Sequence, residues 1–329
     1  MKKNRYFLLF CFFLLVLINF LFIFWDYLTS PLNCTKIIFI RPGWSFKKVV
    51  NELKQQKILH CPLFFWTWGI IKGVTTKIKP GEYLIKPNIT PLELLENFVN
   101  GKCVIKYKIV IPEGATIKQI AKILAKKGLI DEDKFLKLAY NPNFVQNLGI
   151  KSKSIEGYLF PTTYFFAKGL SEKKIIEIMV KEFKKIYKKY DKKAKQKNLS
   201  CHEVVTLASI VEKETSISEE KPLIASVFLN RLHLNMPLQA DPTVIYALPK
   251  FNGKLKKEDL KYPSPYNTYL IKGLPPTPIC SPGEEAIKAV VNAPKTSYLY
   301  FVAKGNGRHH FSRTLKEHIM AINKYRKNN

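Results

Sequence analysis

The run from Tyr6 to Trp25 constrains this chain more than any other feature: 20 consecutive residues without a charge, broken only by the amide of Asn19. Wound as an α-helix at about 1.5 Å per residue, it reaches about 30 Å, the thickness of a bilayer's hydrocarbon core. A cleaved signal peptide has a shorter apolar region, about 7–15 residues, followed by small residues at its cleavage site. Here the run leaves through the bulky "FIFWDYLTSPL". The pattern predicts an uncleaved single-pass anchor over residues 6–25. Lys2, Lys3 and Arg5 precede it and Asp26 follows. The positive-inside rule then places residues 1–5 in the cytoplasm and the bulk of the chain beyond the inner membrane, in the periplasm.

Of the 54 Lys+Arg, 51 lie beyond the anchor, against 25 Asp+Glu. A field of that sign favours polyanions. Beyond the inner membrane these are anionic headgroups or wall polymer, and nucleic acid is not an expected partner. The five cysteines outside the anchor, Cys34, Cys61, Cys103, Cys201 and Cys280, are odd in number and contain no C-x-x-C, so metal spacing is absent and unpaired thiols are expected.

Two segments align without gaps at an offset of 71 residues: "IRPGWSFKKVVNELKQQKIL" (Ile40–Leu59) and "IPEGATIKQIAKILAKKGLI" (Ile111–Ile130). Each has a β-rich lead, a Pro/Gly turn, and a Ser or Thr that caps an amphipathic helix. Between them a further capped helix is expected to start near Thr90. Such units resemble LysM-like modules, which bind N-acetylated glycans.

Near Lys151 the character changes. "SIEGYLFPTTYFFAKG" is densely aromatic and holds one carboxylate, Glu156. A basic helical segment is expected over 172–197, with Ile175, Ile176, Met179, Phe183, Ile186 and Tyr190 forming a packed stripe.

The stretch "HEVVTLASIVEKET" predicts a helix whose buried stripe is Val204, Leu207, Ala208 and Val211. At about 100° per residue, Glu212 and Glu214 fall some 200° apart, on opposite flanks of that stripe, with Lys213 outward. A carboxyl at the border of an apolar face has its pKa raised by desolvation yet stays reachable, as a general acid must. Periodicity does not choose between the two. Downstream, Asn230, Arg231, Gln239, Asp241, Thr243, Tyr266, Asn267, Thr268 and Tyr269 supply amides, hydroxyls and aromatic faces suited to sugars. A capped helix is expected at Ser281, and "SYLYFVAKGNGRHHFS" reads as a hairpin with His309 and His310 on its surface. No nucleotide loop, H-E-x-x-H, G-x-S-x-G or zinc spacing is present.

Taken together, "IEGYLFPTTY", "LASIVEKET", "VFLNRL", "MPLQADPTVIYAL", "SPYNTYLIKGLPPTPICSPG" and the hairpin resemble the YceG-like family of endolytic murein transglycosylases. The resemblance implies an α+β chain: a single transmembrane helix, a LysM-like α+β module over 26–105, a second strand–turn–helix unit over 106–150, and a mixed α+β catalytic domain over 151–329. It implies a lytic transglycosylase that cuts the β-1,4 bond between N-acetylmuramic acid and N-acetylglucosamine in nascent strands. The product is a 1,6-anhydro-muramyl end, which stops elongation. Expected partners are glycan strands, the inner membrane and peptidoglycan synthases; no metal or cofactor is implied. The family's acid lies in the E-K-E-T motif. Because other lytic transglycosylases carry a Glu followed by Ser or Thr, Glu214 is the first choice and Glu212 the second. Gln239, Asn267, Tyr266 and Glu156 are candidate sugar contacts. The chain departs from its relatives in its high Lys content and in Pro-Thr-Pro-Ile-Cys at 276–280, neither of which touches the motif. A membrane-anchored, non-catalytic glycan-binding adaptor that recruits synthases is the competing expectation.

Overall fold

Ser45, Thr90 and Thr116 each close the first turn of a helix. Their side-chain oxygens accept the backbone N–H groups of Lys48, Glu93 and Gln119, and Glu93 and Gln119 return the bond to complete capping boxes. Gly43 and Gly114, at equivalent places in the two sequence copies, both adopt positive φ (80° and 73°), which releases the chain from the turn into the cap. The repeat is thus one local geometry used twice.

The computed structural model describes residues 2–326 and divides into two compact units, one of residues up to Tyr107 with Phe165–Leu170, the other of Lys108–Tyr164 with Ser171 onward. The first unit runs α1 (Lys2–Thr29), β1 (Lys36–Ile40), α2 (Phe46–Gln55), α3 (Pro62–Ile71), β2 (Gly81–Ile85), α4 (Pro91–Asn100) and the start of β3 (Lys106–Val110). Helix α1 is long and apolar enough to cross a bilayer, with side chains exposed along the uncharged run, and fits a single-pass membrane protein. Strands β1 and β2 pair antiparallel, Lys36 opposite Ile85 and Ile40 opposite Gly81. Beneath them Ile38, Ile40, Val49, Leu53, Phe65, Tyr83, Leu94 and Phe98 form the core.

The second unit contains α5 (Ile117–Lys126), α6 (Glu132–Ala139), α7 (Pro142–Asn147), the start of β4 (Thr163–Ala167), α8 (Glu172–Tyr187), α9 (Asp191–Gln196), α10 (Cys201–Glu214), α11 (Lys221–His233), α12 (Asp241–Ala247), α13 (Glu284–Val291), β5 (Tyr300–Ala303), β6 (His309–Ser312) and α14 (Leu315–Arg326). Each strand pairs with a single partner: β1 with β2, β3 with β4, β5 with β6. Helix α10 is central, packed by α9, α11, α12 and α13. Consequently every residue from Val204 to Val211 is buried, not only the stripe expected from the sequence. Of its buried polar residues, Ser209 is met by the proline-rich segment. The Ser209 hydroxyl donates to Thr206 O (2.7 Å) and accepts the Ile279 N–H (3.0 Å).

Three local expectations differ from the structure. The basic segment over 172–197 is two helices, and at the break between them Lys189 Nζ and Tyr190 Oη both bond Glu284 Oε1, at 3.0 and 2.7 Å, in the first turn of α13. The helix expected at Ser281 begins at Glu284 with Gly283 as its cap residue, while Ser281 is buried and pairs its backbone with Ala115. His309 is not on an open surface. It is half-buried, with Nδ1 2.7 Å from Glu220 Oε2 and its backbone N–H on Glu220 Oε1.

Candidate active site

The two carboxylates at the end of α10 occupy opposite environments. Glu212 Oε1 lies 2.9 Å from Lys221 Nζ on α11, and the two side chains are only 7% and 4% exposed. Its other oxygen accepts the Gly283 N–H at 3.0 Å, supplying the cap that α13 lacks from its own sequence. Glu212 therefore joins α10, α11 and α13, and both of its oxygens are committed.

Glu214 is the last residue of α10. It retains surface open to solvent, yet its carboxyl is crowded by protein and makes no hydrogen bond to the described residues. Burial pushes its pKa up to about 8, the Asp241 carboxylate adds to the rise, and the Arg231 guanidinium opposes it.

The neighbours are fixed by their own bonds. Arg231 on α11 donates from Nε to Leu299 O (2.7 Å) and from a terminal nitrogen to Leu238 O (2.9 Å) and Gln239 Oε1 (3.3 Å). It lies 5.1 Å over the Tyr300 ring. So anchored, Arg231 faces Glu214 without an ion pair within 4 Å. Asp241 opens α12 and accepts a 2.6 Å hydrogen bond from Tyr269 Oη. Gln239 is exposed at φ 51°, and its amide nitrogen makes no bond to the described residues.

The remaining candidates lie elsewhere around α12. Glu156 is 1% exposed; it accepts the Ile117 N–H (3.0 Å) and the Tyr246 hydroxyl (3.2 Å), and burial pushes its pKa up to about 8. It faces a cavity of about 390 Å³ that Lys118, Tyr140, Lys213 and Tyr246 also line. Tyr266 packs its ring 5.0 Å from Tyr246 and shares a 2.8 Å hydrogen bond with Thr277. Asn267 is fully buried. Its amide donates to Leu260 O and Tyr262 O and accepts the Tyr269 N–H, so it braces the loop that carries Tyr269 and has no free polar atom for a sugar.

Glu214 is thus grouped with Arg231, Asp241 and Tyr269, with Gln239 held on Arg231, whereas Glu156 faces the neighbouring cavity, Tyr266 packs behind Tyr246 at its wall and Asn267 belongs to the scaffold. Sequence reasoning saw Arg231, Asp241 and Tyr269 only as sugar-suited polar residues, and Tyr300 not at all. The signal for Arg231 was its burial on α11, which a single sequence does not display. Among the described residues no cluster of His, Cys, Asp or Glu has the arrangement of a metal site.

The fold and site define a class: an α+β protein with a membrane-length helix, holding an unpaired, weakly acidic carboxyl among an arginine, an aspartate and a tyrosine. The chain belongs to the YceG-like family, whose sequence model matches residues 38–324. It is 35% identical over 302 residues to the endolytic murein transglycosylase of Bacillus subtilis (strain 168), covering 87% of this chain and 83% of that one. It is 30% identical over 318 residues to the endolytic murein transglycosylase of Streptococcus pneumoniae (strain D39), covering 85% of this chain and 58% of that longer protein. The crystal structure of a YceG-like protein from Listeria monocytogenes superposes with a TM-score of 0.61 at 34% identity, covering 87% of this chain and 98% of that one.

Proposed function

We propose that this chain is an endolytic murein transglycosylase with Glu214 as its acid and base. The observation that carries the reading is Glu214 itself: the one E-K-E-T carboxyl without a partner, only partly covered, with its pKa pushed up to about 8 by burial. Glu214 protonates the oxygen leaving C1 of N-acetylmuramic acid as the C1–O4 bond breaks. The sugar's own C6 hydroxyl then attacks C1, and its proton passes to Glu214, which regains its starting state. No water is consumed, so a second carboxylate to activate it, as an ordinary glycosidase needs, is not required. Asp241, oriented by Tyr269, keeps the proton on Glu214 before reaction and offsets positive charge at the ring during it. The free amide of Gln239 is a sugar donor in this reading, and Tyr266 and Glu156 are further candidate contacts.

The product carries a 1,6-anhydro end that ends strand growth. In the same reading α1 is an inner-membrane anchor with a cytoplasmic N-terminus, residues 26–105 are a LysM-like glycan-docking module, 106–150 a second strand–turn–helix unit, 151–329 the catalytic domain, and peptidoglycan synthases are neighbours. The test is Glu214→Gln beside the native chain on purified glycan strands, with anhydro ends counted by mass spectrometry. Undiminished product would remove Glu214 from the chemistry. Binding without turnover by the native chain would instead favour an adaptor.

A further inference from the structure

Helix α3, Pro62–Ile71, reads "PLFFWTWGII": ten residues without a charged side chain, in a chain carrying 54 Lys+Arg. A soluble helix of a surface module normally shows one polar face. This one does not. Phe65 and Gly69 face the core of the first unit, while Leu63 (63% exposed), Ile70 (47%) and Ile71 (63%) point outward with Trp66. The single hydroxyl, Thr67 Oγ1, donates to Leu63 O at 2.8 Å within the helix. It asks nothing of water.

The position of α3 along α1 gives that outward face a partner. The Phe64 ring lies 5.8 Å from Phe20, 5.1 Å from Phe24 and 5.6 Å from Tyr27; Trp68 lies 6.3 Å from Phe24 and 6.0 Å from Trp25. The Cys61 N–H donates to Tyr27 Oη at 3.2 Å. The uncharged run of α1 ends at Trp25. Phe20 stands five residues earlier, roughly 7–8 Å deeper along the helix axis. A ring packed on both Phe20 and Phe24 is therefore at the depth of the outer acyl chains, not above the headgroups. Immediately after α3, Lys72 turns its ammonium 4.9 Å over the Trp68 ring, a cation placed where a helix leaves the apolar layer.

We propose that α3 is a second membrane contact: a short helix lying in the interface of the leaflet into which α1 emerges, with Leu63, Trp66, Ile70 and Ile71 inserted among lipid chains. Interfacial helices sit about 5–10 Å into the headgroup–acyl boundary, which matches the level fixed by Phe20 and Phe24. The occupant is lipid because the face is continuous with a span that already lies in lipid; the inference rests on reading α1 as that span.

The test uses the full chain reconstituted in phosphatidylethanolamine/phosphatidylglycerol vesicles with acyl-brominated lipid. Two variants keep one tryptophan each, Trp25 or Trp66, with the other three tryptophans replaced by Phe. Both are expected to lose most of their emission to brominated lipid. Trp25 quenched while Trp66 is quenched only by aqueous iodide overturns the proposal and leaves the face to water or a protein. Trp25 unquenched overturns the span and the proposal together. A measurement on the native chain guards against misfolded variants: a lipid-borne diazirine should label Leu63, Ile70 or Ile71 as well as residues 6–25. Labelling confined to residues 6–25 overturns the inference.

Discussion

Lys221 Nζ and Glu212 Oε1 meet at 2.9 Å in a space nearly closed to water, two residues before the carboxyl assigned here to catalysis. Breaking a buried ion pair by removing one partner leaves an uncompensated charge and costs about 3–5 kcal/mol. Glu212→Gln should lower the thermal midpoint strongly, and Glu212→Gln with Lys221→Met should recover much of the loss. Calorimetry on the native chain and the two variants checks this. A Glu212→Gln protein as stable as the native one would contradict the structural role.

Glu214→Gln should behave in the opposite way. Loss of a general acid typically removes about 10²- to 10⁴-fold of the rate, while the fold is kept. The stability effect has a definite sign. The folded state holds the Glu214 proton up to about pH 8, against an ordinary carboxyl value of 4.5. Between those values the folded chain binds more protons than the unfolded one, so native stability falls as pH rises. The variant should match the native chain near pH 5 and exceed it at pH 8 and above. Glu156, raised to the same level, leaves a residual slope in both. Denaturant unfolding across that range measures it.

In the proposed mechanism Glu214 must be protonated, so activity should decline above about pH 8. The Asp241 carboxylate helps hold that proton. Asp241→Asn removes a like charge, lowers the Glu214 pKa and should move the alkaline limb to lower pH. Tyr269→Phe frees Asp241 from its 2.6 Å hydrogen bond, and its limb should shift less than that of Asp241→Asn. Rate–pH profiles on glycan strands distinguish the two.

Gly157 adopts φ +85°, and a Cβ there would stand 2.4 Å from Pro278 Cβ. Gly157→Ala combines a strained backbone, about 1–3 kcal/mol, with a clash against a rigid ring. It should destabilise the second unit and displace Glu156, the next residue. Thermal unfolding checks the first effect, and loss of activity at temperatures where the fold persists checks the second.

Much of the local architecture was legible because its causes are local. Ser45, Thr90 and Thr116 announce helix starts through bonds spanning three residues, and the hairpin at 300–312 follows from its Gly-Asn-Gly turn. What escaped was set by distant partners. Periodicity placed Glu212 and Glu214 on two flanks but could not see Lys221 on one of them. Asn267 looked sugar-suited because its type is, although three backbone groups saturate it. The break after Tyr187 has no proline or glycine to mark it, and the partner that Tyr190 finds there, Glu284, lies far along the chain.

The last turn of a helix is ordinarily where thermal fraying begins, a poor mount for a reactive group. Here Glu212 rivets that turn to Lys221 on one helix and to the Gly283 amide at the head of another. Glu214 inherits the stiffness of three rods rather than the looseness of one tip, so in the proposed reaction the aim of its proton would depend on a neighbour that never touches the sugar.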